Sequence, residues 1–255
     1  MKINFKELLI KTFTPKKIEN HPWDASKKDT LLIDIDLAKY WINTFKKPPE
    51  FLNKKVVEIG CGFGALCINA FEKGASSILG VELFEKDSNT ARILCHEERP
   101  NTKDVIDFTY YDDILTSKYD GKFDMVLSMN SFEHYHDPVK VLNRMKELLK
   151  PDGYIIAGFG PLWNSPFGAH TRLICRLPWA HLWSRELLLK EYNRLRPHDA
   201  WLSFKDKMNE NSLSDYEKLF SNIQGLEIIE LSYNNSIKRR SLIFYSIIEI
   251  LRSFS

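Results

Sequence analysis

The chain has almost no charge of one sign to spare. Its 36 Lys and Arg against 34 Asp and Glu leave +2 at neutral pH, too small an excess to argue for a nucleic-acid partner. Cysteine is scarce and scattered: Cys61, Cys67, Cys95 and Cys175 show neither C-x-x-C spacing nor the density of a disulfide scaffold. That excludes a stapled secreted module and assigns no metal site, leaving reduced, buried thiols of a cytoplasmic protein. Long hydrophobic runs are missing as well. Charges interrupt every apolar stretch of Met1 to Lys11, which reads as neither signal peptide nor membrane span. The most apolar stretch, Leu242 to Phe254, holds Glu249 and Arg252 and is too short and too charged to cross a bilayer.

What is present is the composition of a globular chain, 255 residues long, enough for one sizeable α/β domain with additions or for two small domains. The stretch that organises it is Lys55-Val56-Val57-Glu58-Ile59-Gly60-Cys61-Gly62-Phe63-Gly64-Ala65. The β-branched run suits a strand buried on both faces. Three glycines at alternate positions follow, and Ala65 to Phe71 resumes with helical spacing. Strand, glycine turn and helix together let a backbone approach a ligand closely. The third glycine comes one residue too early for the G-x-G-x-x-G of a dinucleotide fold.

Strands and helices then alternate. Ahead of the first strand, residues 3–12 form a short amphipathic helix, and a denser apolar pattern from Asp29 to Phe45 predicts a second, stopped by Pro48-Pro49. Later strands are expected at 77–82, 105–110, 123–129 and 154–159, with helices at 64–73, 86–97 and after Asp137-Pro138, where Asp caps and Pro opens the first turn. Such alternation implies a doubly wound, mainly parallel sheet with right-handed crossovers, and ligands bind beyond the carboxyl ends of its strands. Those ends carry Gly60 to Gly64, Glu82, Asp112-Asp113 and Met129-Asn130, so the candidate binding residues all fall on one edge. Glu82 ends the second strand, where a carboxylate can accept hydrogen bonds from both hydroxyls of a ribose.

Four features taken together resemble the class I S-adenosylmethionine (SAM)-dependent methyltransferases of the type 11/12 group. They are Glu58 with the Gly60-x-Gly62-x-Gly64 turn, Glu82, the Glu133-His134 pair before Asp137-Pro138, and Leu149-Lys150-Pro151-Asp152-Gly153 before the fifth strand. The resemblance covers roughly residues 50–160. It implies a Rossmann-like α/β fold with SAM as cofactor, held by Glu58 toward the methionine amino end, by Gly60, Cys61, Gly62 and Gly64, by Glu82 with Leu83, and by Met129 and Asn130. Asp112 aligns with the acid near the adenine amino group, with Asp113 as the alternative. Methyl transfer is an in-line displacement that chiefly requires placing the acceptor and excluding water, with a proton acceptor as a secondary need for hydroxyl acceptors. Candidates for that proton acceptor are His134, His136 and His170.

The expected organisation has N-terminal helices over 1–50 acting as a cofactor lid, a SAM-binding core over 51–160, an aromatic and Pro-rich substrate lid over 161–210, and a C-terminal part over 211–255. Within the lid segment Ser184 is expected to cap a helix over 185–195; in the last part Ser214-Asp215-Tyr216-Glu217 is expected to form a capping box, Leu226 to Leu231 a sixth strand, and 241–252 an apolar helix behind Lys238-Arg239-Arg240. That helix is expected to pack on its own domain, with a second subunit and a peripheral membrane contact left open; the chain is expected to be a monomer or homodimer. The near-neutral charge and the absence of an [N/D]-P-P-[Y/F] tetrapeptide or a Pro-Cys pair argue for a small-molecule methyl acceptor, with oxygen as the acceptor atom on a sugar, isoprenoid or other secondary metabolite. The alternatives are a catalytically silent binding protein of the same fold and an NAD-type oxidoreductase.

Overall fold

A computed structural model describes residues 5–17, 25–197, 202–204 and 208–233. The chain divides into two compact units, one comprising residues 20–159 and the other residues 1–19 with 160–255.

The first unit is built on five parallel strands, β1 (Lys55–Ile59), β2 (Ser77–Glu82), β3 (Ile106–Tyr110), β4 (Phe123–Met129) and β5 (Leu149–Gly158), in the order β3-β2-β1-β4-β5. The chain winds outward from β1 to β3, then returns to the other side of β1. The order therefore reverses between β1 and β4, which is where a crevice opens in this kind of sheet. Four of the five residues of β1 are buried, as expected of a strand covered on both faces.

Helices α2 (Lys27–Ile42), α3 (Ala65–Glu72), α4 (Glu85–Glu98) and α6 (Pro138–Leu148) belong to the same unit, as does the single turn α5 (Tyr111–Ile114). Leu31, Ile35, Ala38 and Ile42 recur at helical spacing and bury one face of α2 in the main core with Val56, Leu66, Ile68 and Ile78. Asn69 ties α2 to α3: its side-chain amide, 1% exposed, donates to the carbonyls of Ile35 (3.0 Å) and Ala65 (3.1 Å). Asp137 caps α6 by accepting from the Lys140 amide at 2.9 Å, with Pro138 in the first turn. β5 begins five residues ahead of the expected start, because Leu149 already pairs with Phe123 before the Pro151-Asp152-Gly153 irregularity.

The second unit contains α1 (Phe5–Phe13), α7 (Ala180–Trp183), α8 (Arg185–Leu195) and α9 (Leu213–Asn222). Its core gathers Ile10, Trp163, Ile174, Leu188, Tyr192 and Phe204. Two expectations for caps are corrected here. Ser184 precedes α8 but gives it no side-chain cap. The capping box before α9 is Ser212 with Asp215, not Ser214 with Glu217: the Ser212 hydroxyl accepts from the Asp215 amide (3.2 Å) and the Asp215 carboxylate accepts from the Ser212 amide (2.8 Å). Both serines have an acid three residues on, and the helix uses the earlier one, with Tyr216 buried in its first turn. The sixth strand expected over 226–231 is not formed. A strand is stabilised by its partner's ladder, and Ile228, Ile229 and Leu231 stay exposed with no pairing strand among the described residues. The helix expected over 241–252 lies outside the described residues.

Candidate functional site

The carboxyl ends of β1, β2, β3 and β4 lie on one edge of the first unit, and the glycine turn leaves β1 there. Gly60, Gly62 and Gly64 all take left-handed conformations, with φ of 76°, 55° and 88°, which glycine adopts at no steric cost. Two of the three are also required by close packing. A Cβ at Gly60 would come within 2.8 Å of the Ser131 Cβ, and one at Gly64 within 2.8 Å of the Phe108 ring. Gly62 differs, because no heavy atom lies within 4 Å of where its Cβ would be. Its backbone faces open space.

Glu82, at the end of β2, holds this turn from the neighbouring strand. Its Oε1 accepts from the Gly62 amide at 2.5 Å and its Oε2 from the Leu83 amide at 3.1 Å. Each carboxylate oxygen retains lone-pair capacity for a further donor. Burial pushes the Glu82 carboxyl above its ordinary range, against the opposing pull of those two amides. Leu83 and Phe84 follow it largely exposed, at 59% and 62%.

Glu58 is the other acid at this edge and is almost completely enclosed, at 2% exposure. The Cys67 thiol of α3 donates to its Oε2 at 3.1 Å. Burial, with a smaller repulsion from Glu82, pushes its carboxyl up to about 8. Cys61, in the turn itself, is also buried, and its thiol is pushed up to about 11. Near neutral pH Glu58 therefore keeps its proton, and a positive charge arriving here would favour ionisation of both acids.

The two aspartates after β3 have different surroundings. Asp113 accepts from Thr109 Oγ1 (2.7 Å) and Tyr119 Oη (2.9 Å) and pairs with Lys118 Nζ (2.7 Å), which together hold its carboxyl below the usual range. Asp112 is exposed at the same edge. The structure therefore separates the pair that the sequence left as alternatives, giving Asp113 a local structural role and leaving Asp112 facing solvent.

After β4, Met129 is half-buried and Asn130 is exposed, in a left-handed conformation (φ 54°) fixed by donation of its amide to the Gly158 carbonyl at 2.7 Å. The following loop is pinned to the glycine turn by residues that sequence reasoning missed. Ser131 Oγ donates to the Gly60 carbonyl (3.2 Å), and Tyr135 Oη donates to the Ile59 carbonyl (3.0 Å) while standing 3.0 Å from Ser128 Oγ. Burial raises the Tyr135 hydroxyl well above its ordinary value, so it remains a neutral donor. With Tyr135 directed inward, His134 and His136 on either side of it are exposed. His170 belongs to the other unit, where it takes a left-handed conformation (φ 54°). The only sequence signal for Ser131 and Tyr135 was their place between the end of a strand and a helix cap. Polar side chains there have no periodicity to mark them.

Comparison with known proteins places the chain in a family. The model of a methyltransferase-domain family matches residues 37–230. The ubiquinone biosynthesis O-methyltransferase of Neisseria meningitidis is 28% identical over 154 residues, covering 60% of this chain and 62% of that protein. The protein of the same name from Acinetobacter baylyi is 30% identical over 134 residues, covering 52% and 54%. The chain thus spans between half and two thirds of the length of these curated relatives. Among solved structures, an S-adenosylmethionine-dependent methyltransferase from Mesorhizobium loti aligns at 26% identity over 51% of this chain and 55% of its own, with a TM-score of 0.40.

Proposed function

This chain belongs to the class I SAM-dependent methyltransferases, and from that premise we propose that it methylates a hydroxyl oxygen of a small molecule. When bound, SAM supplies an electrophilic methyl group on a sulfonium. The remaining work falls to the chain's own residues.

The donor set fits such a cofactor. Gly62 offers open backbone where a ligand would approach. Glu82 keeps lone pairs for the ribose hydroxyls after accepting from Gly62 and Leu83, and Leu83 presents an uncovered apolar side chain beside it. Asp112 is free of the cluster that occupies Asp113 and is assigned to the adenine amino group. Glu58, with Gly60, Cys61 and Gly64 around it, is assigned to the positive methionine end, whose arrival would draw off the Glu58 proton and leave a carboxylate to offset the charge, while Met129 and Asn130 line the β4 side. SAM carries no phosphates, so the turn needs acids and space rather than a row of amides.

For the acceptor, the supporting observation is the loop after β4. Ser131 and Tyr135 lock it onto the Gly60 turn, which holds His134 and His136 exposed at the same edge. His134 is proposed as the base that takes the acceptor's hydroxyl proton, with His136 and His170 as the lesser candidates. The relatives' names support an oxygen acceptor. The 161–210 segment, which the chain enters from β5, is proposed to select that acceptor.

The test is transfer of a labelled methyl group to panels of phenols, sugars, isoprenoid alcohols and amines, with the product's methyl position read by NMR. A methyl on oxygen is expected; a methyl found only on nitrogen or carbon rejects the proposal. His134→Gln should lower kcat on the order of 10²-fold or more while leaving the affinity for S-adenosylhomocysteine unchanged. An unaltered kcat would remove His134 from the reaction.

A further inference from the structure

The opposite edge of the sheet carries a second concavity, apart from the glycine turn. A groove of about 470 Å³ is lined by the first residues of β1, β2, β3 and β4 together with the segments that lead into β3 and β4. Its volume is in the range of small-molecule sites. Four lysines from three separate stretches of chain meet there: Lys55, Lys103, Lys118 and Lys122. The opposing acids are Asp104 and Asp107.

The excess of two positive charges falls on lysines without ion-pair partners. Asp107 is already paired with Arg92 at 3.1 Å, and Lys118 is paired with Asp113 at 2.7 Å. Among the described residues, Lys55, Lys103 and Lys122 form no side-chain ion pair, so three of the lining lysines carry ammonium groups without an ion-pair partner while Asp104 and Asp107 are the acids of the lining. Clustering like charges around a concave surface raises the local potential and concentrates counter-ions there. It also lowers stability, so the arrangement has a cost that a ligand would repay. The overall charge of the chain is only +2, which makes this concentration a local feature and not a reflection of a basic protein.

We infer that this groove at the amino ends of the strands binds a small phosphate-bearing anion, up to the size of a nucleoside phosphate. Lysines suit a phosphate as point charges on flexible stems, without the fixed fork that a planar carboxylate would favour. The site stands apart from the carboxyl edge where SAM is assigned, so its occupant is a different molecule from cofactor or acceptor.

The experiment is isothermal titration of the full chain with inorganic pyrophosphate at 150 mM salt, where exposed charges are largely screened beyond a Debye length. Saturable 1:1 binding is expected, weakened at least tenfold in the Lys103→Glu/Lys122→Glu double variant and unchanged in Lys86→Glu, an exposed lysine of α4. Titration of each variant with S-adenosylhomocysteine checks that the fold survives and should give the wild-type affinity. If the double variant loses that affinity too, Lys103→Gln/Lys122→Gln replaces it, removing the charges without reversing them. Absence of saturable binding, or equal weakening by Lys86→Glu, overturns the inference.

Discussion

At the scale of single residues, chemistry here depends on who shares a carboxylate. Glu82 already anchors the Gly62 amide, so Glu82→Ala removes both a proposed ribose acceptor and a brace of the turn. The expected loss of S-adenosylhomocysteine affinity is tenfold or more, about 1.4 kcal/mol at the least, measured by titration; unchanged affinity would show that the carboxylate does not meet the cofactor. Glu58 makes a separate prediction. Its folded-state value near 8 lies above the ordinary 4.5, so the unfolded chain gives up that proton first. The stability Glu58 contributes is therefore complete below pH 4.5 and declines as pH rises through 8. Chemical denaturation of the cofactor-free protein should show that decline, and Glu58→Gln should flatten it by a few kcal/mol. A variant with the wild-type pH profile would mean the carboxyl is ionised in the fold. Sequence reasoning placed Glu58 and Glu82 at the right edge because their distance from the glycine turn is countable. It could not see that Asp113 is occupied while Asp112 is not, since that difference comes from Thr109, Lys118 and Tyr119.

At the scale of elements, the turn after β1 depends on glycine for two independent reasons. Gly64→Ala would place a Cβ within 2.8 Å of Phe108 and hold a non-glycine residue at φ 88°. The expected cost is on the order of 1–3 kcal/mol from the backbone alone, seen as a lowered Tm; a variant as stable as the parent would contradict this packing. Asp137→Ala should cost about 1 kcal/mol through loss of the α6 cap, measured by the same melt. Elements with strong local signals, such as β1 and α6, appeared where the pattern put them. The strand expected at 226–231 did not, its apolar residues having no pairing strand among the described residues, and the cap of α9 is Ser212 where Ser214 was expected.

At the scale of the whole molecule, two units with separate cores imply two separate responses to pH. His181 belongs to the unit formed by residues 1–19 and 160–255; its ring is fully buried, with Nε2 donating to the Trp163 carbonyl at 2.6 Å. Burial pushes its pKa down to about 4 from 6.5. The unfolded chain then binds the proton more readily, so stability falls as pH drops from 6.5 toward 4, by about 3 kcal/mol in all. His181→Phe should lessen that acid sensitivity, and tryptophan fluorescence during acid titration would report it; an unchanged acid limb would show that the ring does not charge on unfolding. No described helix is long and apolar enough to cross a membrane.

Sequence by itself determined the alternation of strands and helices, the turn of three glycines, the acid that ends β2 and the acids that follow β3, because each follows from local periodicity or a countable interval along the chain. It also sufficed to recognise a family whose cofactor requires such a turn. Tertiary structure alone decided which aspartate is free, which serine and tyrosine pin the loop after β4, and how lysines from separate stretches meet on the far edge of the sheet. Those outcomes rest on contacts between residues tens of positions apart, and no one-dimensional pattern records a distance across a fold.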